Sequence, residues 1–459
     1  MAESTHTRQR PAHRAFAFTH RVIEAGAIRL GYRLDDSPSG PDVTFEETFR
    51  LPPELVAAAH EHAGDPALAR ALEALHLACG TSYWKAAAPP CIRVQGAPLP
   101  DAEAGLWTRV WTQGLGEFFF KNALSPRDRV HIPGGGSTRL PTRPAAPCDG
   151  PPLLLVGGGK DSVVSAEILR LGGITPTLFC VGRSPWIERS ATAMGGTLLV
   201  MERRIAPELL ELNAAGALNG HVPISSILSF AARIVALLAG SSAIIASNER
   251  SASVGNTMVD GVEINHQWSK GLEYERLVCD WELRNCPGGP RYFSLLRPLS
   301  ELAIGRIFAR SPRHFESVTS CNRNFKLAPD PSTPRWCLTC PKCVFVFLML
   351  SPWLADDELA RVFGGNPLED AGNLGLVEEL AGLARMKPFE CVGEPDEVIA
   401  ALWLLHRDGR FAASPALGLA RERIFPSLRE PERLVERVLA PSEEHLLPEA
   451  HARMLHAAL

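Results

Sequence analysis

Four of the eleven cysteines in this chain lie close together, between residues 321 and 343. Their spacing is C-x15-C-x2-C-x2-C, which places three thiolates on one tight loop and brings a fourth from upstream. Four sulfur ligands suit a closed tetrahedral Zn²⁺ site, and an iron–sulfur cluster accepts the same ligands. Because nothing else in the sequence indicates electron transfer, we predict that Cys321, Cys337, Cys340 and Cys343 bind a structural zinc ion. Lys342 would lie beside these thiolates and reduce their net charge.

A second motif that could do chemistry is the turn in LLLVGGGKDS, residues 153–162. A short apolar run, typical of a buried strand, leads into three glycines, and we expect a helix to begin at Asp161 or Ser162. Glycines let a ligand approach the backbone, and the N-terminus of a helix favours an anion such as a phosphate. The P-loop is excluded because Asp161 follows Lys160, and a dinucleotide fingerprint is excluded because Ser162 replaces its last glycine.

The letters GGGKDS match the loop S-G-G-x-D-S of ATP pyrophosphatases, with Gly157 in place of the first serine. Enzymes with this loop adenylate a substrate and release pyrophosphate. Asp161 is then expected to help hold a Mg²⁺ ion that bridges the phosphates. The structural alternative is a plain strand–turn–helix in which Asp161 caps the helix. The expected nucleotide-binding residues are Gly157, Gly158, Gly159, Lys160, Asp161, Ser162, Val181 and Asn248.

The elements around this turn predict an α/β fold. From residue 153 onward strands and helices alternate, which predicts a parallel sheet with helices on both faces. Ligands of such sheets bind at the carboxyl ends of the strands. We expect an N-terminal α+β domain at 1–132 whose first 21 residues form a ragged tail before the first strand. A linker at 133–152, the sheet domain at 153–345 and a helical region at 346–459 are expected to follow.

Further polar residues are expected near the same edge of the sheet. His221 stands at the start of a predicted helix, and it is either a proton-transfer or binding residue or a capping residue. Asn248, Glu249 and Ser251 follow the strand AIIA, so Glu249 is a second candidate base.

Three more charged side chains are candidates for contacts with an anionic ligand. Lys270 and Glu273 lie in the mixed segment NHQWSKGLEYE. Arg297 either reaches a phosphate or pairs with Glu301 four residues on.

Composition restricts the class of protein. Hydrophobic residues make up 46% and charged residues 21% of the 459, the balance of a soluble globular chain. The net charge is -4 and no basic run follows the first twenty residues, which disfavours nucleic acid as a partner. The apolar stretch 226–246 is interrupted by Arg233 and a Gly-Ser-Ser break, so we expect no membrane span and a cytoplasmic location.

The order of the motifs carries a family resemblance. Strand–GGGKDS–helix, NGHVP, SNERSA and the late C-LTC-PKC resemble 7-cyano-7-deazaguanine synthase, a member of the ATP-pyrophosphatase superfamily. The additional segments GTSYWKAAAP, GLGEFFFKN and KPFECVGEPDEV resemble the UDP-N-acetyl-α-D-muramoyl-L-alanyl-L-glutamate epimerase family. That resemblance runs from about residue 25 to 405, and it implies an adenine nucleotide alpha hydrolase-like fold.

The resemblance implies a specific reaction. The terminal L-Glu of UDP-MurNAc-L-Ala-L-Glu would become D-Glu, with ATP converted to AMP and pyrophosphate, and the product would enter peptidoglycan synthesis. Asp161 would serve the adenylation, and His221 or Glu249 would exchange the Cα proton. The competing interpretations are another adenylating enzyme, such as a ligase or a tRNA-modifying adenylase, and a non-catalytic zinc-containing nucleotide sensor.

Overall fold

The computed structural model describes residues 13–35, 41–94, 96, 98–127, 129–259, 261–326, 332–384 and 386–459. The strands are β1 (Ala15–Glu24), β2 (Ala27–Asp35), β3 (Val43–Arg50), β4 (Cys91–Arg93), β5 (Leu153–Leu155), β6 (Thr177–Val181), β7 (Leu198–Arg204), β8 (Ala243–Ala246), β9 (Thr257–Val259), β10 (Val262–Ile264) and β11 (Arg291–Ser294). The first nine helices are α1 (Val56–Glu61), α2 (Pro66–Trp84), α3 (Asp101–Thr112), α4 (Gly116–Lys121), α5 (Lys160–Leu171), α6 (Pro185–Met194), α7 (Pro207–Ala214), α8 (Ile224–Leu238) and α9 (Leu272–Asn285). The remaining helices are α10 (Glu301–Phe308), α11 (Pro341–Leu350), α12 (Asp356–Phe363), α13 (Leu374–Leu380), α14 (Pro395–Arg407), α15 (Pro415–Leu419), α16 (Pro431–Leu439) and α17 (Glu449–Ala458).

A nine-stranded sheet organises the chain in the order β11-β8-β5-β6-β7-β3-β2-β1-β4. Its first five strands are parallel, as the alternation of strands and helices predicted. The two strands β9 and β10 form a separate antiparallel pair. The α/β class with a large, mostly parallel sheet is therefore confirmed.

Alternate residues of the central strands face different cores. In β5, Leu153 packs into the core that contains the N-terminal residues, and Leu154 packs into the core that contains the C-terminal helices. In β8, Ile244 and Ile245 divide in the same way. Such strands read as continuous apolar runs because both faces are covered by helices.

The N-terminal strands continue this sheet. Strand β3 pairs antiparallel with β7, and Arg203 on β7 pairs with the fully buried Glu47 on β3. The segment 133–152, expected to be a linker, contains no helix or strand. The expectation of an unstructured tail before the first strand is partly wrong, because Ala15–Glu24 already form β1; residues 1–12 of that tail lie outside the described residues.

The C-terminal part is helical, and its helices cover the second face of the sheet. Apolar residues of α5, α10, α11 and α14 share one core with those of α16 and α17. Proline opens several of these helices, where its missing N–H costs nothing. Among the described residues, no helix is both long and apolar enough to cross a bilayer.

Candidate active site

A cavity of about 1090 Å³ opens at the carboxyl ends of β5, β6 and β8. Among the described residues that line it, Asp161 is the only carboxylate, whereas Arg203, Lys270 and Lys342 bring positive charge. This balance favours an anionic ligand. The volume is slightly above the usual range of small-molecule sites, which suits two ligands bound side by side.

The glycine loop, defined as residues 157–162, forms one wall of this cavity. Gly157 has open space where a Cβ would stand, and it lines the cavity. Gly158 has a φ of +81°, which favours glycine, and a Cβ there would lie 3.4 Å from Ile187. A Cβ on Gly159 would lie 2.8 Å from Ser320 Oγ. Gly158 is thus favoured by its backbone conformation, a Cβ on Gly159 would require the Ser320 side chain to move, and Gly157 leaves room for a ligand.

Helix α5 begins at Lys160, directly after the last glycine, so its first N–H groups lie beside the cavity. Asp161 and Ser162 line the cavity, and Ser162 Oγ donates to Gly159 O at 3.2 Å. A strand, a glycine turn and a helix N-terminus together form the type of site that binds phosphate.

Lys160, within the glycine loop, is absent from the described lining of the cavity and is buried, 2% exposed. Its ammonium pairs with Asp161 and with the buried Glu301 of α10. Burial alone would lower the pKa of Lys160, but the two carboxylates outweigh it and raise the pKa. The lysine is therefore a fixed positive charge that holds the loop to α10.

Val181 and Asn248 line the cavity at the ends of β6 and β8. The backbone N–H of Asn248 donates to Ser294 Oγ at 2.6 Å, and Ser294 Oγ donates back to Asn248 O at 2.9 Å. Two of the expected nucleotide-binding residues, Gly158 and Lys160, are absent from the described lining of this cavity. The other six line it: Gly157, Gly159, Asp161, Ser162, Val181 and Asn248.

The four clustered cysteines come together as their spacing predicted. Their sulfur atoms lie within 4.8 Å of one another, with Sγ–Sγ distances of 3.8 Å for Cys337–Cys343 and 3.4 Å for Cys340–Cys343. A tetrahedral zinc ion with Zn–S bonds of about 2.3 Å requires Sγ–Sγ distances of about 3.8 Å. The cysteine cluster can therefore hold a metal ion of this size.

The cysteine cluster also supports the glycine loop. The N–H of Thr319, two residues before Cys321, donates to Gly158 O at 2.9 Å. The Thr319 hydroxyl donates to Arg335 O at 2.5 Å, near Cys337. Thr319 and Ser320 also line the cavity. A metal bound by the cysteines would thus fix one wall of the site.

His221 and Glu249, the two candidate bases, are both absent from the described lining of the cavity. Glu249 is 4% exposed, and its backbone carbonyl accepts from Arg297 at 2.6 Å. His221 packs on His266 with ring centroids 4.2 Å apart. Burial, followed by the charge of His266, lowers the pKa of His221 to about 3, so its imidazole is neutral at neutral pH.

The expected pairing of Arg297 with Glu301 is wrong. Helix α10 begins at Glu301, so the two residues do not share a helical turn. Arg297 instead pairs with Glu275 at 2.9 Å and donates to the carbonyl of Lys270. It is 1% exposed and is absent from the described lining, so it positions loop backbone rather than a phosphate.

Of the two residues singled out in NHQWSKGLEYE, only Lys270 reaches the cavity. Glu273 pairs with Arg109 at 3.0 Å and accepts from Trp268 Nε1 at 2.8 Å. Ser251, the remaining candidate after β8, is fully buried in the short helical turn Arg250–Ser253 and is absent from the described lining.

The sequence did not reveal a cluster of four residues at the edge of the cavity, which we call the thiol group. It consists of Glu117 on α4, His266, Lys270 and Cys391. Glu117 pairs with His266 Nδ1, and His266 and Lys270 both lie close enough to Cys391 to lower the pKa of its thiol. Cys391 lines the cavity. The thiol group therefore joins a carboxylate, an imidazole and a sulfur at the edge of the candidate site.

Charges in the thiol group shift its titrations strongly. Burial raises the pKa of Cys391, but Lys270 and the hydrogen bond from His266 outweigh it and lower the pKa to about 6. Burial lowers the pKa of His266, but hydrogen bonds to Cys391 and Glu117 raise it to about 9. For Glu117, hydrogen bonds from His266 and Lys121 overcome burial and lower the pKa to about 2. At neutral pH the group holds a thiolate, an imidazolium and a carboxylate.

Comparisons with known proteins identify the family of the chain. Residues 7–295 match the family model described as the MurL N-terminal domain, and residues 317–433 match the MurL C-terminal domain. The UDP-N-acetyl-alpha-D-muramoyl-L-alanyl-L-glutamate epimerase of Xanthomonas oryzae pv. oryzae is 38% identical over 440 residues, 95% of either chain. The enzyme of the same name from Micromonospora sp. is 41% identical over 447 residues, which cover 96% of this chain and 97% of the relative.

The chain belongs to the UDP-N-acetyl-alpha-D-muramoyl-L-alanyl-L-glutamate epimerase family. A third relative with this name, from Salinispora tropica, is 43% identical over 400 residues, 86% of this chain and 85% of its own. The family resemblance stated from the sequence is confirmed, and the protein is an enzyme of the isomerase class. No solved structure matches the chain.

Both parts of this epimerase-family chain contribute to the cavity. The N-terminal match contains the glycine loop, Glu117, His266 and Lys270, and the C-terminal match contains the cysteine cluster and Cys391. The candidate site is therefore complete only when the two matched regions are packed together.

Proposed function

We propose that this chain converts the terminal L-Glu of UDP-MurNAc-L-Ala-L-Glu to D-Glu, with ATP cleaved to AMP and pyrophosphate. The observation that carries the proposal is the glycine loop, which forms a wall of a cationic cavity in a chain of the epimerase family. The product would enter peptidoglycan synthesis in the cytoplasm, and the fold would be adenine nucleotide alpha hydrolase-like.

The reaction needs carboxylate activation because a carboxylate makes the α-proton very weakly acidic. Removal of that proton would build a dianion. Adenylation neutralises the carboxylate, so the electron pair left by the proton spreads into the activated carbonyl. The inverted product would then be released by hydrolysis of the adenylate. The glycine loop would hold the pyrophosphate that leaves, through its backbone N–H groups and Ser162.

Magnesium fits the residues present. Lys160 pairs with Oδ1 of Asp161, and the carboxylate retains its second oxygen as a ligand for a hard cation at the cavity wall. When bound, Mg²⁺ would neutralise phosphate charge and orient the bond that is cleaved. Asp161 is then a binding residue for the metal, and Lys160 keeps it in place.

Zinc fits the cysteine cluster. The sulfur set is closed and is made of thiolates alone, which is typical of a structural ion rather than a catalytic one. Its role would be to hold the segment around Thr319 against Gly158.

The decisive assay measures pyrophosphate release from ATP with and without UDP-MurNAc-L-Ala-L-Glu. We expect release only with that substrate, and loss of roughly 100-fold or more in an Asp161→Asn variant, because phosphate and metal contacts contribute on that scale. Release driven by a nucleobase or a tRNA would support another adenylating enzyme instead. Binding of ATP without any release would support a nucleotide sensor.

A further inference from the structure

Cys391 differs from the other thiol in the wall of the cavity. Cys180 also lines it, but burial and then Glu188 raise the pKa of Cys180 to about 12, and its sulfur donates to Gly182 O. Cys391 instead lines the cavity together with Lys270 and Lys342, and the charges of these lysines and of His266 lower the pKa of its thiol. One thiol is thus held protonated and the other is held as an anion.

We propose that the Cys391 thiolate is the base that removes the Cα proton of the activated glutamate, with His266 and Glu117 as its positioning residues. The inference rests on the proposed function and assigns the residue that carries out its second step. It differs from the expectation that His221 or Glu249 is the base, since both are absent from the described lining of the cavity.

Long-range hydrogen bonds hold Cys391 in this position. Asn256 Nδ2 donates to Pro388 O at 2.6 Å, and Gln267 Nε2 donates to Val392 O at 3.1 Å. Asn256 Oδ1 also accepts from the N–H of His266 at 2.8 Å. The same residues therefore anchor the segment that carries the thiol and the loop that carries the imidazole.

The far side of the thiol group is anchored as well. Lys85 donates to Asn219 Oδ1 and to Gly220 O, each at 2.7 Å, which fixes the turn before His221. His221 then packs on His266. Because His221 is neutral, it covers the imidazolium without competing for the Glu117 carboxylate.

Every proton and electron pair in the proposed step is accounted for. The Cα–H bond breaks, its proton passes to the Cys391 sulfur, and its electron pair enters the enolate of the activated carboxyl group. Water in the cavity protonates the opposite face of Cα and becomes hydroxide. The Cys391 thiol then gives its proton to that hydroxide, with His266 as the hydrogen-bond partner that restores the thiolate. No oxidant or reductant is needed.

A kinetic test separates the two steps. In Cys391→Ser we expect pyrophosphate release with substrate to stay within about threefold of wild type, because adenylation does not use the thiolate. Incorporation of solvent deuterium at Cα should fall roughly 100-fold or more, the usual contribution of a positioned base. Cys148→Ser is the matched control, since its half-buried thiol donates to Ala146 O, away from the described lining of the cavity.

A chemical test needs no substitution. Tryptic peptides 386–407 and 171–183 contain Cys391 and Cys180 as their single cysteines, so mass spectrometry can follow the alkylation of each by iodoacetamide. We expect peptide 386–407 to gain the label with a midpoint near pH 6 and peptide 171–183 to stay unlabelled below pH 9. His266→Asn should move the first midpoint upward by at least one pH unit.

Several outcomes would overturn the proposal. Unchanged deuterium exchange in Cys391→Ser would remove Cys391 as the base, even if wild-type adenylation proceeds as proposed. A substrate-derived acyl group on peptide 386–407 would make the thiol a nucleophile instead.

Metal analysis provides a further independent check. The ligand atoms of Glu117, His221 and His266 lie within 4.8 Å of one another, a spacing that a cation could also occupy. We expect the same metal content in wild type and His266→Asn. Loss of a second metal ion in that variant would make His266 a metal ligand and overturn its role beside the thiol. Absence of substrate-dependent pyrophosphate release in wild type would instead refute the proposed function itself.

Discussion

The cysteine cluster and the thiol group use the same element, sulfur, in opposite ways. In the cysteine cluster, four sulfur atoms lie within 4.8 Å of one another, and the adjacent Thr319 donates a hydrogen bond to the glycine loop. In the thiol group, a single sulfur is surrounded by positive charge and lines the cavity. The difference shows that a cysteine's role follows from its neighbours: other thiols favour a metal, whereas a lysine and an imidazole favour a reactive thiolate.

Metal removal from the cysteine cluster should give the largest effect on stability, and it distinguishes the structural thiols from Cys391. We expect Cys340→Ser, or chelation of the wild type, to release one zinc ion and to lower the Tm by about 10 °C or more, because structural zinc contributes several kcal/mol to folding. Adenylation should be lost as well, since the segment at Thr319 no longer holds Gly158. Differential scanning fluorimetry and metal analysis measure both changes.

The thiol group provides the contrast to that experiment. Cys391→Ser should retain its zinc and melt within about 2 °C of wild type, since serine fills nearly the same space. An equal fall in melting temperature in Cys340→Ser and Cys391→Ser would contradict the difference between the two sites.

The buried lysine of the glycine loop, Lys160, offers the next largest effect. Lys160 is held by Asp161 and Glu301, so Glu301→Gln leaves a buried ammonium with one carboxylate and should cost roughly 3 kcal/mol of unfolding free energy. Glu397→Gln is the control. Burial, followed by the charge of Glu301, raises the pKa of Glu397 to about 8, so glutamine replaces a largely neutral acid at pH 7. Urea denaturation of both variants should show the larger loss for Glu301→Gln; equal losses would contradict this account of Lys160.

The pH dependence of deuterium exchange tests the thiol group alone. Cys391 has a pKa lowered to about 6, and the thiolate is the active form. The exchange rate should therefore rise as pH increases through about 6 and then stay level toward pH 8. In His266→Asn the rise should move to higher pH, so activity lost at pH 7 is partly regained at pH 8.5. A wild-type profile that climbs steadily between pH 7 and 9 would indicate a thiol of ordinary pKa.

Glycine substitutions should give the smallest effects. Gly158→Ala forces a side chain into a φ of +81° and should cost about 1 kcal/mol of stability. Gly157→Ser meets open space and restores the serine of the S-G-G-x-D-S pattern, so its stability should stay within about 0.5 kcal/mol of wild type. Thermal melts rank the two, and a more damaging Gly157→Ser would show that Gly157 is needed for close backbone packing.

Local spacing explains what the sequence could predict. The glycine loop lies within one turn of chain, and three members of the cysteine cluster lie within seven residues, so the residues that act together are already neighbours. The parallel sheet follows from apolar runs such as Leu153–Leu155, which are buried on both faces.

Sequence separation explains what could not be predicted. Glu117 and His266 are 149 residues apart, and hydrogen bonds from Asn256 and Gln267 to the backbone on either side of Cys391 hold its segment in place. The expected ion pair between Arg297 and Glu301 is wrong for a different reason. A four-residue spacing indicates contact only when both residues belong to one helix, and α10 begins at Glu301.

The central claim is that activation of the carboxylate precedes exchange of the Cα proton in one cavity. Its most direct test is incubation of the wild-type enzyme with UDP-MurNAc-L-Ala-L-Glu in deuterium oxide, with and without ATP, followed by analysis of AMP and of deuterium at the Cα of the terminal glutamate. We predict that deuterated D-Glu product and AMP form together, and only when ATP is present. AMP formation without deuterium uptake, or deuterium uptake without ATP, would contradict the account.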